Sequence, residues 1–292
     1  MTPAEPAHEV PRLPPRPPDS HKGTYGRVLI FAGSPGMAGA AVLTAKGALR
    51  AGAGLVTLAV PASLSTVCAT AVPEATTRLL PEPGAPGYSG RLAADLEGAL
   101  DGHYQAVAIG PGLGTSPASR ELVSFVLSRH RGPQVVDADG LNLVAAGVGA
   151  PRSDERVWTP HPGELQRLAG TSPRGDAERI EAARDLATAR GGVFLLKGHR
   201  TVAHDGTRCY LNLTGNPGMA TGGSGDVLTG VIAALLGQGL DAFSAACLGA
   251  YIHGLAGDIA ARDFTAVSMT ALDLAERLPQ AFARHARYAG RT

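Results

Sequence analysis

A chain of 292 residues, 44% hydrophobic and 17% charged, holds enough apolar material for one large or two modest globular cores. Its formal net charge of +1 leaves no electrostatic footprint for nucleic acid or an anionic membrane surface, and no run of about 18 apolar residues offers a membrane span. Cys68, Cys209 and Cys247 are widely spaced and form no C-x-x-C pair, which excludes a disulfide framework or zinc site and predicts buried, inert thiols in a reducing cytosol.

The first 20 residues, MTPAEPAHEVPRLPPRPPDS, lack the apolar stretch of a signal peptide, and their prolines predict a flexible, extended arm. From Arg27 the chain alternates. RVLIFAG reads as a strand, AGAAVLTAKGALRAGAG as a helix and LVTLAVP as a second strand closed by proline. The alternation returns in AVAIGPG, SRELVSFVLSRH and QVVDADG, then in RIEAARDLATAR and GVFLLKG. Nearly continuous apolar strands between helices predict an α/β fold, a parallel sheet covered on both faces. TVAHDGTRCYLN then predicts a hairpin turning at Asp205-Gly206. Three helices complete the chain: DVLTGVIAALLG, DAFSAACLGAYIHGLAGDIAA and MTALDLAERL. The whole reads as one domain, residues 21–292, behind the arm.

Several strands end in glycine, proline or polar residues, which predicts a ligand crevice beyond their carboxyl ends. The loop TGGSGD precedes a helix, so its backbone N–H groups can converge on an anion at that helix's positive end. Asp226 then falls at or near the N-cap. It is either a helix cap or a carboxylate positioned to take a hydroxyl proton beside a bound phosphoryl group. Neither a P-loop nor a G-x-G-x-x-G fingerprint competes with that reading. Lys197 to Thr201, KGHRT, is a solvated strand end or a ligand contact. In TPHPGE, His161 is a loop histidine or a substrate contact, and Glu164 suits the first turn of a helix. The small residues of GSPGMAGAA, including Gly33, Gly36, Ala40 and Ala41, permit tight helix–sheet packing or the approach of a bulky substrate. The same choice applies to Gly110, Gly112 and Gly114 of GPGLG. In DADGLN, Asp137 and Asp139 could bind a cation, while Asn142 is the better substrate contact. His253 and Asp258 read as helix-packing residues.

Taken together, HKGTYGRVLIFAGSPGMAGAAVLTAKGALRAGAGLVTLAVP, AIGPGLG, VVDADGLN, TPHPGE, LLKGHRTV and GNPGMATGGSGDVLTG resemble the ADP/ATP-dependent NAD(P)H-hydrate dehydratases. The blocks run in chain order from His21 to about Leu278. The resemblance implies a ribokinase-like three-layer sandwich, with a mostly parallel central sheet and helices on both faces. It also implies a hydro-lyase that phosphorylates the hydroxyl of hydrated NADH or NADPH and eliminates phosphate. Residue by residue, it implies Asp226 as the base. Ala41, Gly112, Gly114, Asn142, His161 and Asp226 would face the hydrate. Lys197, Gly198, His199, Arg200, Thr201, Gly222, Gly223, Ser224 and Gly225 would face the nucleotide. ADP or ATP would be the phosphoryl donor, with Mg²⁺ approached by Glu164 through water. Members are often fused to an N-terminal epimerase. With about 20 residues ahead of the matched blocks, the expectation is a separate epimerase protein. A cytoplasmic homo-oligomer, a tetramer among the candidates, completes the family picture. The alternatives are a small-alcohol kinase of the same fold, acting on a thiazole or pyrimidine alcohol, and a catalytically silent nucleotide-binding module.

Overall fold

In the first strand, Val28 and Ile30 point into one apolar cluster while Leu29 and Phe31 point into a second, and all four are fully buried. A strand with two buried faces requires cover on both sides, and the computed structural model, which describes residues 9–82, 84, 88–100 and 104–289, supplies it. The strands are β1 (Arg27–Phe31), β2 (Leu55–Pro61), β3 (Thr76–Leu80), β4 (Ala106–Ile109), β5 (Gln134–Val136), β6 (Arg156–Trp158), β7 (Val193–Leu196), β8 (Val202–His204) and β9 (Cys209–Leu211). They form one sheet in the order β3-β2-β1-β4-β5-β6-β7-β8-β9. The strands β1 to β7 are parallel, and β8 and β9 add antiparallel at one edge.

The helices are α1 (Ala38–Arg50), α2 (Ser65–Ala71), α3 (Tyr88–Leu100), α4 (Pro117–Arg129), α5 (Ala138–Ala145), α6 (Pro162–Ala169), α7 (Gly175–Arg190), α8 (Ser224–Gly237), α9 (Ala242–Ser268) and α10 (Ala271–Ala289). Residues of α1, α2, α8, α9 and α10 fill the cluster on the Val28 side, and residues of α3 to α7 fill the other. The three-layer expectation therefore holds. Every residue of α8 from Val227 to Gly237 is buried, which is why its sequence is apolar all round. It lies so close to α1 that a Cβ at Gly230 would stand 1.9 Å from the Thr44 carbonyl oxygen. Only glycine permits that crossing, and it fixes where the N-terminus of α8 emerges.

The hairpin turns where the sequence places it. Asp205 Oδ1 accepts the N–H groups of Thr207 and Arg208, and Gly206 takes φ +97°. The three final helices also form, although α9 runs on to Ser268 with a break at Thr265, whose φ is +67°. All three cysteines are free and buried, and burial pushes their thiols up, Cys209 to about 11. Among the described residues no helix is long and apolar enough to cross a membrane.

Of the proline-rich arm, residues 1–8 lie outside the described residues, and residues 9–20 run along the surface of the domain. This stretch has no helix or strand, yet Val10 and Leu13 pack against the core. The Arg16 guanidinium lies 3.7 Å from the Tyr25 ring centroid and donates to Gly52 O at 2.7 Å and Gln238 Oε1 at 3.0 Å. His285 Nε2 donates to Pro11 O at 3.1 Å. Proline content predicts an extended backbone correctly, but apolar and cationic side chains between the prolines decide whether it docks.

Candidate active site

The carboxyl ends of β5 and β7 meet the first turns of α8. Asp137, directly after β5, is 1% exposed and fully engaged. Its Oδ1 accepts from Lys197 Nζ at 2.6 Å, and its Oδ2 accepts from Thr229 Oγ1 at 2.6 Å. Lys197, just past β7, also lies 3.7 Å from Glu164 Oε2. Burial opposes its charge, but Asp137, Glu164 and Asp226 outweigh burial and raise its pKa, so the ammonium is held protonated. The next residue after Asp137, Ala138, takes φ +47°, an uncommon conformation for a residue with a Cβ and a mark of local strain beside the site.

Helix α8 opens on Gly223, at φ +91°, and no side chain caps it. This settles the position of Asp226: it is in the first turn, not the N-cap. Its carboxylate accepts no hydrogen bond from any described residue, in contrast to Asp137. Burial, followed by the negative charge of Asp137, pushes its pKa up to about 7 against the pull of Lys197. Ser224 lies beside it with a buried Oγ that has no partner. Uncapped N–H groups, an orphaned hydroxyl and a bare carboxylate make a first turn suited to an anion and a proton transfer.

A cavity of about 570 Å³ adjoins this turn. Lys197, Gly198, His199, Arg200, Thr201, Ser224 and Gly225 line it, so seven of the nine proposed nucleotide residues are brought together; Gly222 and Gly223 stand just outside its wall. The KGHR turn is held from behind by Arg179 of α7, which donates to Leu196 O at 2.8 Å, His199 O at 2.7 Å and Arg200 O at 3.0 Å. Arg200 itself takes φ +56° and pairs with Asp176 at 3.1 Å.

His161 lines the same cavity but has a local task. It is the N-cap of α6: its Nδ1 accepts from Gly163 N–H and Glu164 N–H, while Glu164 Oε2 accepts from His161 N–H at 2.7 Å. Glu164 is therefore a buried capping-box carboxylate, pushed up to about 7 chiefly by burial. Burial, with help from Lys197, lowers the His161 pKa. Asn142 is similarly occupied, donating to Asp139 Oδ1 at 3.1 Å and accepting from Arg167 at 2.9 Å. Asp139 in turn accepts from Gly114 N–H at 2.8 Å and so shapes the GPGLG loop. Gly112 is packed under Ala40 and Met37, and Ala41 is fully buried beside Gly33. None of Ala41, Gly112, Gly114, Asn142 and Asp226 lines the cavity. Gly112 and Gly114 belong to the loop after β4, Asn142 to α5 and Asp226 to the first turn of α8.

Sequence reasoning missed Arg179 and Thr229. Nothing in RIEAARDLATAR or DVLTG marks either one, because each acts on a residue that only the fold brings near. Asp137, read from sequence as a cation ligand or substrate contact, holds Lys197 and Thr229 by hydrogen bonds.

The sheet order and doubly covered faces define the class, a ribokinase-like α/β protein. A family profile described as NAD(P)H-hydrate dehydratase matches residues 28–280, and the chain belongs to that family. It is 49% identical over 275 residues to the bifunctional NAD(P)H-hydrate repair enzyme Nnr of Moorella thermoacetica, across 92% of this chain and 51% of that protein. It is 38% identical to the ADP-dependent (S)-NAD(P)H-hydrate dehydratase of Neisseria meningitidis, across 82% of this chain and 79% of that one. Among solved structures, the ADP/ATP-dependent NAD(P)H-hydrate dehydratase of Bacillus subtilis, co-crystallized with ATP/Mg²⁺, superposes with a TM-score of 0.80 at 33% identity, covering 93% of this chain and 94% of that one. The chain spans about half the length of the Nnr proteins it matches.

Proposed function

We propose that the protein removes water from hydrated NADH or NADPH, using ADP or ATP to turn a poor leaving group into a good one. Asp226 takes the proton of the hydrate hydroxyl. The oxygen then bonds to the terminal phosphorus of the nucleotide, whose bridging P–O bond breaks. Phosphate next leaves the ring carbon and a proton leaves its neighbour, which restores the ring double bond. The observation that carries this reading is Asp226 itself, unpartnered, raised to about 7 and set in the uncapped first turn of α8 beside a cavity of about 570 Å³.

In this reading the N–H groups of Gly222, Gly223, Ser224 and Gly225 hold the transferring phosphoryl, and Lys197 to Thr201 hold the nucleotide. Ala41, Gly112, Gly114, Asn142 and His161 shape the hydrate side. Among the described residues no cluster of three acids, histidines or cysteines is suited to a metal, and Glu164 is tied to the His161 N–H. That donor set fits Mg²⁺ carried mainly by phosphate oxygens, with Glu164 reaching it through water. The ion would offset phosphate charge when bound. A partner epimerase, a homo-oligomeric assembly and a cytoplasmic location belong to the same proposal and rest on family likeness.

The test is absorbance at 340 nm with purified protein, Mg²⁺, hydrated NADH and either ADP or ATP. Recovery with one nucleotide, lost in a folded Asp226→Asn variant, is the expected result. A stable phosphate ester of a small alcohol, with no recovery from the hydrate, would sink the dehydratase reading in favour of a kinase.

A further inference from the structure

Helix α9 forms one side of the cavity, where Ala250, His253 and Gly254 line it. The same helix holds the loop that follows β9. Asn212 Nδ2 donates to Ala250 O at 3.3 Å, and Thr214 Oγ1 donates to Tyr251 O at 2.9 Å. Asp258 accepts from Gly215 N–H at 3.0 Å and from Asn216 Nδ2 at 3.1 Å. A Cβ at Gly254 would come within 2.2 Å of Thr214 Oγ1, so this face of α9 is cut to fit the loop.

His253 reaches the first turn of α8. Its Nε2 lies 2.9 Å from the carbonyl oxygen of Ser224, and its side chain is buried. A carbonyl only accepts, so Nε2 carries the proton and donates. Burial lowers the His253 pKa to about 4 although the Ser224 carbonyl opposes this, which keeps the ring neutral and Nδ1 bare at neutral pH. The Ser224 carbonyl and the Gly225 N–H belong to one planar peptide group and point in opposite directions. Holding the oxygen therefore aims the N–H. Gly225 lines the cavity, and the first turn of α8 has no side-chain cap to steady it. The orphaned Oγ of Ser224 sits on the same segment and marks a second unspent donor there.

We propose that His253 is a positioning residue for phosphoryl transfer: its Nε2–H holds the Ser224 carbonyl so that the Ser224–Gly225 peptide presents its N–H to the transferring phosphoryl group. The inference rests on the functional reading above and gives α9, which sequence reading treats as a packing helix, a part in organising the anion site. The bond also polarises the peptide and strengthens Gly225 as a donor.

The experiment compares His253→Ala and His253→Gln with wild type in the 340 nm assay. A misdirected oxyanion-type donor should lower kcat by about tenfold or more in His253→Ala, while KM for the nucleotide changes by less than about threefold. Glutamine carries an N–H that can replace Nε2–H, so His253→Gln should recover kcat to within about threefold of wild type. Wild-type kcat in a folded His253→Ala, or equal impairment of both variants, overturns the inference while leaving the dehydratase reading intact. An inert wild type overturns the functional reading instead. Nitrogen-15 NMR of histidine-labelled wild type at pH 7 is independent of variant folding and of turnover. A neutral His253 protonated at Nε2 is expected, and protonation at Nδ1 or at both nitrogens overturns the inference.

Discussion

Two carboxylates close to Lys197 stand at the head of the sheet, near enough for the charge of one to raise the pKa of the other. Asp137 directly follows β5 and Asp226 lies in the first turn of α8, whose Gly225 packs close to Lys197 and Asp137. Asp137 accepts two hydrogen bonds of 2.6 Å, one of them from Thr229, a residue of α8 itself. Asp226, three residues before Thr229 on that helix, accepts none from the described residues, and its pKa rises to about 7. The helix thus ties down its neighbour's carboxylate and leaves its own bare. Chemistry of this kind is assigned by partners more than by residue type: the saturated carboxylate is a strut, and the bare one keeps its lone pairs for a proton.

The sharpest way to break this contrast is Asp226→Asn. A strut lost would show in stability, whereas a base lost should show in turnover, with kcat falling about 10²–10⁴-fold in the 340 nm assay. Asp137→Ala should behave in the opposite way. It leaves the Lys197 ammonium and the Thr229 hydroxyl without their main partner, so unfolding in urea should register a loss of about 3–5 kcal/mol.

The pH dependence follows from sign. The Asp226 carboxyl has its folded pKa raised from 3.8 to about 7, so the folded protein binds the proton more tightly than the unfolded chain. Its contribution to stability is full below about pH 4 and is lost as pH rises towards 7. Asp226→Asn should therefore be more stable than wild type at pH 8, by on the order of 2–4 kcal/mol, with the difference vanishing near pH 4. Wild-type kcat should move the other way, rising through pH 7 as the base ionises. Coincidence of the two pH profiles would sharpen the assignment; a flat stability difference would break it.

Smaller effects belong further from the pair. Arg179→Ala releases three carbonyls behind the KGHR turn and should raise KM for the nucleotide about three- to tenfold, with little change in kcat. Arg16→Ala removes a ring contact and two exposed hydrogen bonds from the docked arm. It should lower stability by about 0.5–1 kcal/mol, visible as a shift of a few degrees in Tm and absent from the kinetics.

Much of this arrangement is legible in the chain. The alternation from RVLIFAG to GVFLLKG, the hairpin at Asp205-Gly206 and the three closing helices all form where their periodicity places them. The glycine loop ahead of α8 is legible because TGGSGD stands directly before an apolar helical run. The contacts of the arm are not legible, because proline reports backbone shape and says nothing of whether Val10, Leu13 and Arg16 find partners. His161 and Glu164 were named as site residues, and their capping box, visible in the spacing H-x-x-E, is the role that local geometry assigns.

The sequence by itself determined the fold class, the family and the position of a lone acid behind a glycine loop. Local periodicity and contiguous motifs carry those signals within a few residues of one another. Only the tertiary structure decided which acid is spent and which is free. The deciding bonds join Lys197 to Asp137 across 60 positions, Thr229 to Asp137 across 92 and His253 to Ser224 across 29. Hydrogen bonds of that span depend on how α8 crosses α1 and how β5 and β7 end beside it. Packing sets that geometry, and no stretch of the chain encodes it alone.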